Sequence, residues 1–224
     1  DLSDNNAQRI HEQFGTDTLI DIENVKGSNL NDYVKGSLEN NTLEGKSGND
    51  YLDGQEGDDY LDGGLGDDTL RGGSGTNELQ GSIGVDTVDY SGNQAVNVDL
   101  SNISTNQDVH GDGSSLDKLV NIENVIGSSS NDTIIGNNSD NSLFGSEGDD
   151  TIYSSSGSDT LNGGDDVDTI DYSQLNILSE DGVRLTLSGT TQISVQVGAT
   201  SDDHRLSGVE NIIPISAVIS KDVL

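Results

Sequence analysis

Large aliphatic residues return every nine positions along two stretches of the chain, at Val34, Leu43, Leu52, Leu61, Leu70, Leu79 and Val88, then at Ile134, Leu143, Ile152, Leu161 and Ile170. A fixed period of this length marks a repeat architecture in which each unit contributes one short strand stacked on its neighbours. These twelve residues are the expected core. Their neighbours, such as Tyr51, Asp53, Tyr60, Asp62, Thr69 and Arg71, should face away, because side chains alternate along a strand.

Glycine keeps the same beat. Gly27, Gly36, Gly45, Gly54, Gly63, Gly72 and Gly81 open seven consecutive units, among them GKSGNDYLD, GQEGDDYLD and GGLGDDTLR. A second block runs from Gly127 to Asp171 as five units, GSSSNDTII, GNNSDNSLF, GSEGDDTIY, SSSGSDTLN and GGDDVDTID. The pattern is GGxGxDxUx, with U a large aliphatic residue. The fourth-position glycine is replaced by Leu30, Glu39, Ser130, Ser139 and Asp166, and Ser154 and Ser155 replace an opening pair.

A longer repeat frames the blocks. DIENVKGS from Asp21 and NIENVIGS from Asn121 each lead into a block, and GVENIIPIS from Gly208 echoes them. After each block come period-two strand signals, Val96, Val98 and Leu100, then Val183, Leu185 and Leu187. The predicted organisation is a leading cap (1–26), a first repeat block (27–89), linking and capping strands that bury Ile122 and Val125 (90–126), a second block (127–171) and trailing strands with a tail (172–224). Short amphipathic helices are conceivable only at 7–14 and 116–119.

Composition sharpens this. Nine Lys+Arg against 41 Asp+Glu give a formal charge of −32, which disfavours nucleic acid and anionic membranes as partners. No apolar run is long enough to span a bilayer. Zero Cys excludes disulfides and thiolate chemistry, and zero Met suggests a fragment or processed chain. Leu, Ile, Val and Phe make up about a quarter of the residues, close to the level at which strong charge implies disorder. One buried aliphatic side chain per nine ordered residues is a thin core, and the 29 glycines lose much entropy on ordering. Cohesion must come from a ligand. The turns offer hard oxygen donors, while His11, His110 and His204 lie outside the repeats, so calcium fits and zinc or copper does not.

The tandem nonapeptides resemble the repeats-in-toxin (RTX) family, the calcium-binding β-roll repeats of bacterial proteins exported by type I secretion. The resemblance implies an all-β fold, a parallel β-roll wound as a right-handed solenoid in two blocks with β-strand and loop caps. Six residues of each unit would form a turn and three a strand, with calcium between turns two units apart. Seven and five units then allow at most five and three sites, up to about eight ions. The expected carboxylate ligands are the sixth-position residues Asp32, Asp50, Asp59, Asp68 and Asp86, then Asp132, Asp150, Asp159 and Asp168. Asn41, Asn77 and Asn141 hold that position elsewhere and should make weaker sites. Glycine lets the turns aim peptide carbonyls at the ion, and the assigned donors are Gly45, Ser47, Asn49, Gly54, Glu56, Gly63, Leu65, Gly81, Gly145, Glu147 and Gly163. The strongest sites are expected along Asp32, Asp50, Asp68 and Asp86, and along Asp132, Asp150 and Asp168.

Asp58, Asp67 and Asp149, at position five, are expected to be solvated rather than to ligate. His204 reads as an exposed loop residue, and Tyr51 and Tyr60 as cross-strand packing more than as a sugar platform. No GxSxG or HExxH motif gives hydrolase chemistry an anchor. The expected function is a noncatalytic, calcium-folded extracellular module of a type I-secreted adhesin or toxin. It would pass the secretion channel unfolded, then fold and act as a rigid spacer outside the cell. The alternatives are the calcium-binding module of a secreted protease, lipase or alginate epimerase, or a region that binds a glycan or protein ligand.

Overall fold

The computed structural model describes residues 22–92 and 94–173 with their side chains, and the backbone of the strands Ala7–His11, Gly15–Thr18, Val183–Leu187, Ile193–Val197, Asp203–Ser207 and Asn211–Ile213. Every described element is a strand, and most pair in parallel, as a β-roll requires. The chain divides into two units, Asp1–Tyr90 with Asn102–Asn124, and Ser91–Ser101 with Val125–Leu224.

In the first unit the nonapeptides alternate between two sheets, so partners lie two units apart. One sheet carries Asn24–Lys26, Thr42–Ser47, Tyr60–Leu65, Gly75–Ile83 and Ser115–Val120 in parallel, and Gln107–Asp108 joins its end antiparallel. The other carries Tyr33–Lys35, Tyr51–Asp53, Thr69–Arg71 and Thr87–Asp89. Leu43 pairs with Leu61 and Leu61 with Leu79, while Val34, Leu52, Leu70 and Val88 line up opposite. Leu79 then pairs with Leu119, so an inserted segment supplies the last coil of this sheet.

The second unit repeats the plan. Val98, Ile134, Ile152, Ile170 and Ile212 align in one sheet, and Leu143, Leu161 and Leu206 in the other, which Ile193–Val197 and Val183–Leu187 extend antiparallel.

All twelve eighth-position aliphatic residues are buried, as are Val96, Val98, Leu100, Ile122 and Val125 from the framing segments. Burying one such side chain is worth roughly 1.5 to 3 kcal/mol. The flanking positions mostly stay half-exposed, but Asp53, Asp89 and Asp171 at position nine are buried. Tyr33 and Tyr51 stack with ring centroids 5.1 Å apart, and the Tyr60 hydroxyl donates to Gln80 Oε1 at 3.3 Å, so both expected tyrosines serve cross-strand packing.

Neither helix candidate forms. Ala7–His11 pairs antiparallel with Gly15–Thr18. In Ser115–Val120 burial alternates residue by residue, and the edge of Gly75–Ile83 offers its backbone the hydrogen bonds a short helix would have to leave open at its ends. The trailing strand signal at Val183, Leu185 and Leu187 is a strand. The tail at 217–224, and Gln174 to Gly182 before that strand, lie outside the described residues.

Candidate metal centres

The sixth-position residues form ladders along the turn edges of the rolls. Each backbone N–H donates to the carboxylate one coil further on: Asp32 to Asp50 Oδ1 (2.7 Å), Asp50 to Asp68 Oδ1 (2.7 Å) and Asp68 to Asp86 Oδ1 (2.9 Å). On the other edge Asn41 N–H donates to Asp59 Oδ1 (2.7 Å) and Asp59 N–H to Asn77 Oδ1 (3.0 Å). In the second unit the chain of donors is Val96 to Asp132, Asp132 to Asp150 and Asp150 to Asp168, with Asn141 to Asp159 on the opposite edge. Strand register thus stacks carboxylates in rows.

In several ladder carboxylates one oxygen is left over. Oδ2 of Asp50, Asp59, Asp68, Asp86 and Asp150 is buried with no hydrogen-bond donor. Burying a carboxylate without pairing it is costly. The cost appears in the titration: burial pushes Asp59, Asp68 and Asp86 up to about 6 and Asp150 up to about 7, and raises Asp50 too. The ladder N–H works the other way on each, and neighbouring carboxylates raise them further.

The opening glycine of the unit makes room for that oxygen. A Cβ at Gly45, Gly54, Gly63 or Gly145 would fall on the carboxylate of Asp50, Asp59, Asp68 or Asp150. At Gly45, Gly54 and Gly145 the carbonyl oxygen of Gly63, Gly72 or Gly163, one coil further on, borders the same space. A buried, unpartnered carboxylate oxygen and a peptide carbonyl therefore face one small volume in turn after turn.

Two kinds of turn follow from the fourth position. With glycine there, φ is positive, as at Gly48 (117°), Gly57 (112°), Gly66 (127°) and Gly148 (104°), a conformation other residues adopt rarely. The first two turns of each block lack that glycine and close on themselves. Ser28 N–H donates to Asp32 Oδ2 (2.5 Å), its Oγ to Asp32 Oδ1 (3.2 Å), and Leu30 N–H donates back to Ser28 Oγ (3.1 Å). Ser128 does the same for Asp132 and Ser130 (2.6, 2.7 and 3.0 Å). Ser37 and Asn137 cap Asn41 and Asn141 through their backbone N–H (2.7 and 2.9 Å). Both oxygens of Asp32 and Asp132 accept hydrogen bonds from their own turn, whereas Asp50, Asp68 and Asp86 keep an unpartnered one. Asp159, pushed by burial up to about 6, accepts from Ser155 Oγ at 3.3 Å.

Other expected donors occupy mixed positions. The carbonyls of Gly45, Gly54 and Gly145 border the side chains of Asp32, Asn41 and Asp132. Leu65 carbonyl accepts from Gly48 N–H (2.9 Å), Ser47 lies opposite Leu65 in the sheet, and Glu56 bridges to Ser74. Asn49 and Glu147 are exposed. The position-five side chains are exposed as expected, yet they form a second ladder of opposite sense. Asp58 Oδ1 accepts from Thr76 N–H (2.8 Å), Asp67 Oδ1 from Val85 N–H (3.0 Å) and Asp149 Oδ1 from Val167 N–H (3.0 Å).

Two residues outside the nonapeptides close rows in the first unit. Asp117, fully buried, accepts from Asn77 Nδ2 (2.9 Å) and the Tyr90 hydroxyl (2.8 Å), and burial pushes it up to about 6. Glu123 Oε2 accepts from Asp86 N–H (2.9 Å). A signal for Glu123 exists in the sequence: it stands four residues before Gly127, the spacing of a sixth-position acid from the next opening glycine. Asp117 has no such signal.

The donor set fits a hard cation. Among the described residues no three His, Cys, Asp or Glu side chains converge, so peptide carbonyls must complete any shell, and oxygen-only shells of carboxylates and carbonyls suit calcium. No curated protein matches the chain at a significant level. Residues 27–61, 35–70, 62–93, 122–152 and 144–174 match the family model for the RTX calcium-binding nonapeptide repeat (4 copies), together more than half of the chain. With its stacked nonapeptide coils and rows of buried carboxylates, the chain belongs to the family of RTX calcium-binding nonapeptide repeats.

Proposed function

We propose that this chain is a calcium-folded extracellular module of a bacterial protein exported by type I secretion, an adhesin or a toxin, providing order after export and rigid support rather than catalysis. The observation that carries this reading is the row of buried, unpartnered Oδ2 atoms on Asp50, Asp68 and Asp86 beside one another's charges. Left to itself, the chain must either protonate these carboxyls or hold them out of the roll. At neutral pH and low free calcium, repulsion along the rows and the thin core favour the extended chain, a form suited to a narrow export channel. A bound calcium ion supplies the positive charge that lets the buried carboxylates remain ionised. Binding free energy then becomes folding free energy and grows with ligand concentration.

The residues divide this work. Asp50, Asp68, Asp86 and Asp150 would hold ions from the glycine-containing turns, with the Gly63 and Gly163 carbonyls beside Asp50 and Asp150. Asp32 and Asp132, satisfied by Ser28 and Ser128, would hold the first turn of each block in shape with less call on the ion. The row Asn41, Asp59, Asn77 carries fewer charges and would bind more weakly. Far-UV circular dichroism through a calcium titration tests the reading: little β-structure in excess chelator and a cooperative gain with calcium are expected. A full β spectrum without calcium at neutral pH would overturn it.

A further inference from the structure

The nonapeptide pattern of the first block ends at Asp89, and the pairing of turns two units apart therefore ends at Asp86. The structure continues the row. Asp86 is fully buried and its Oδ2 has no hydrogen-bond donor, as for Asp50 and Asp68 within the row. Its N–H donates to Glu123 Oε2 at 2.9 Å, the same bond that Asp50 N–H makes to Asp68 and Asp68 N–H to Asp86. Its carbonyl accepts from Asn124 N–H (2.9 Å), as the Asp50 carbonyl accepts from Thr69 N–H (2.8 Å). In register, then, Asn124 occupies position seven and Glu123 position six of a further coil.

The carbonyl partner is present as well. At Gly45 the space beside the opening glycine is bordered by Asp50 Oδ2 and the Gly63 carbonyl, and at Gly81 it is bordered by Asp86 Oδ2 and the Asn121 carbonyl. Asn121 has φ of 51°, a left-handed conformation that asparagine tolerates better than most residues. Asn121, Ile122 and Glu123 thus supply, in three residues, the carbonyl and the carboxylate that a repeat turn supplies in six. The separation is 37 residues between Asp86 and Glu123 against 18 between Asp68 and Asp86, which hides the relationship from any search at a fixed period.

We infer that Asp86 Oδ2, the Asn121 carbonyl and the Glu123 carboxylate form a further divalent-cation site closing the first roll, built from a segment that is not a nonapeptide. The inference rests on the calcium-binding reading above. Two carboxylates and a peptide carbonyl are hard donors of the kind calcium takes, leaving further positions to water or other carbonyls. The like charges of Asp68, Asp67 and Glu123 around Asp86 add to the demand for a cation there.

Native mass spectrometry of the whole chain at saturating calcium, with calorimetric titration, tests the site. Glu123→Gln keeps an acceptor for the Asp86 N–H but removes the charge, and Glu39→Gln makes the same change on an exposed turn. The wild type and Glu39→Gln should bind equal numbers of ions, and Glu123→Gln one fewer. An unchanged count in Glu123→Gln would overturn the site while leaving the calcium reading intact, whereas a wild type that binds no calcium would sink that reading itself. If Glu123→Gln fails to fold with calcium, Glu123→Asp should still fold, because it keeps the carboxylate. Failure of both would show that the fold depends on this side chain for more than its charge, and the site would be abandoned.

Discussion

The Asp50 backbone N–H donates to Asp68 Oδ1 at 2.7 Å across 18 residues of sequence, and leaves Asp68 Oδ2 buried without a donor. One oxygen of the carboxylate is thus used to stitch adjacent coils and the other faces the space beside Gly63. The stacking of coils and the charge in the turn thus depend on the same side chain.

Removing that charge should cost affinity. Asp68→Asn keeps an acceptor for the Asp50 N–H but loses a charge from two adjoining turns, and the calcium midpoint of folding should rise by about tenfold or more, equivalent to about 1.4 kcal/mol per decade. Asp58→Asn, exposed and still able to accept from Thr76 N–H, should leave the midpoint nearly unchanged. Circular dichroism titrations of the two variants side by side make the comparison, and equal shifts would refute the assignment of position six over position five.

The serine-closed turns should respond differently. Ser28→Ala and Ser128→Ala each delete the hydroxyl that bonds the aspartate and the position-four N–H, which should destabilise the calcium-loaded fold by about 1 kcal/mol. The number of ions bound should not change. Urea unfolding at saturating calcium measures the first quantity and native mass spectrometry the second.

Gly45→Ala should abolish calcium-induced folding of the first block, because the new methyl would occupy the place of the Asp50 carboxylate and the Gly63 carbonyl. Gly111→Ala is the matched comparison. Its φ of 70° is left-handed, unlike that of Gly45, but nothing lies within 4 Å of the added atom, so only backbone strain of roughly 1 to 2 kcal/mol is expected. A calcium titration followed by limited proteolysis separates the two outcomes.

Acidity should partly replace calcium. Asp59, Asp68, Asp86, Asp117 and Asp159 titrate in the folded chain at about 6 and Asp150 at about 7, all raised from 3.8 chiefly by burial. Groups whose folded value is raised favour the fold fully below the unfolded value, and that contribution is lost as pH rises through the folded one. The calcium-free chain should therefore gain β-structure as pH falls from about 7 towards about 4, whereas calcium should be needed most at neutral pH and above. Circular dichroism in calcium-free buffer across that range checks the sign, and a loss of β-structure on acidification would contradict it.

Much of this was legible in the residues. Eighth-position aliphatics and opening glycines recur at one spacing, and a stacked coil has to obey that spacing at every turn, so the core, the strands and the sixth-position acids could be named directly. The helix readings at 7–14 and 116–119 failed because a short amphipathic stretch fits a strand equally well once a sheet edge is available to pair with it.

The sequence by itself determined the period, the apolar interior and the sixth-position acids, since each is carried by a residue type at a fixed interval. Which oxygens are satisfied and which are left without a donor was decided only by the tertiary structure. Ser28 and Ser128 quench their aspartates through local turn geometry, and Asp117 and Glu123 enter the rows through register after long insertions. Hydrogen-bond satisfaction depends on distances between coils, and a linear pattern does not contain them.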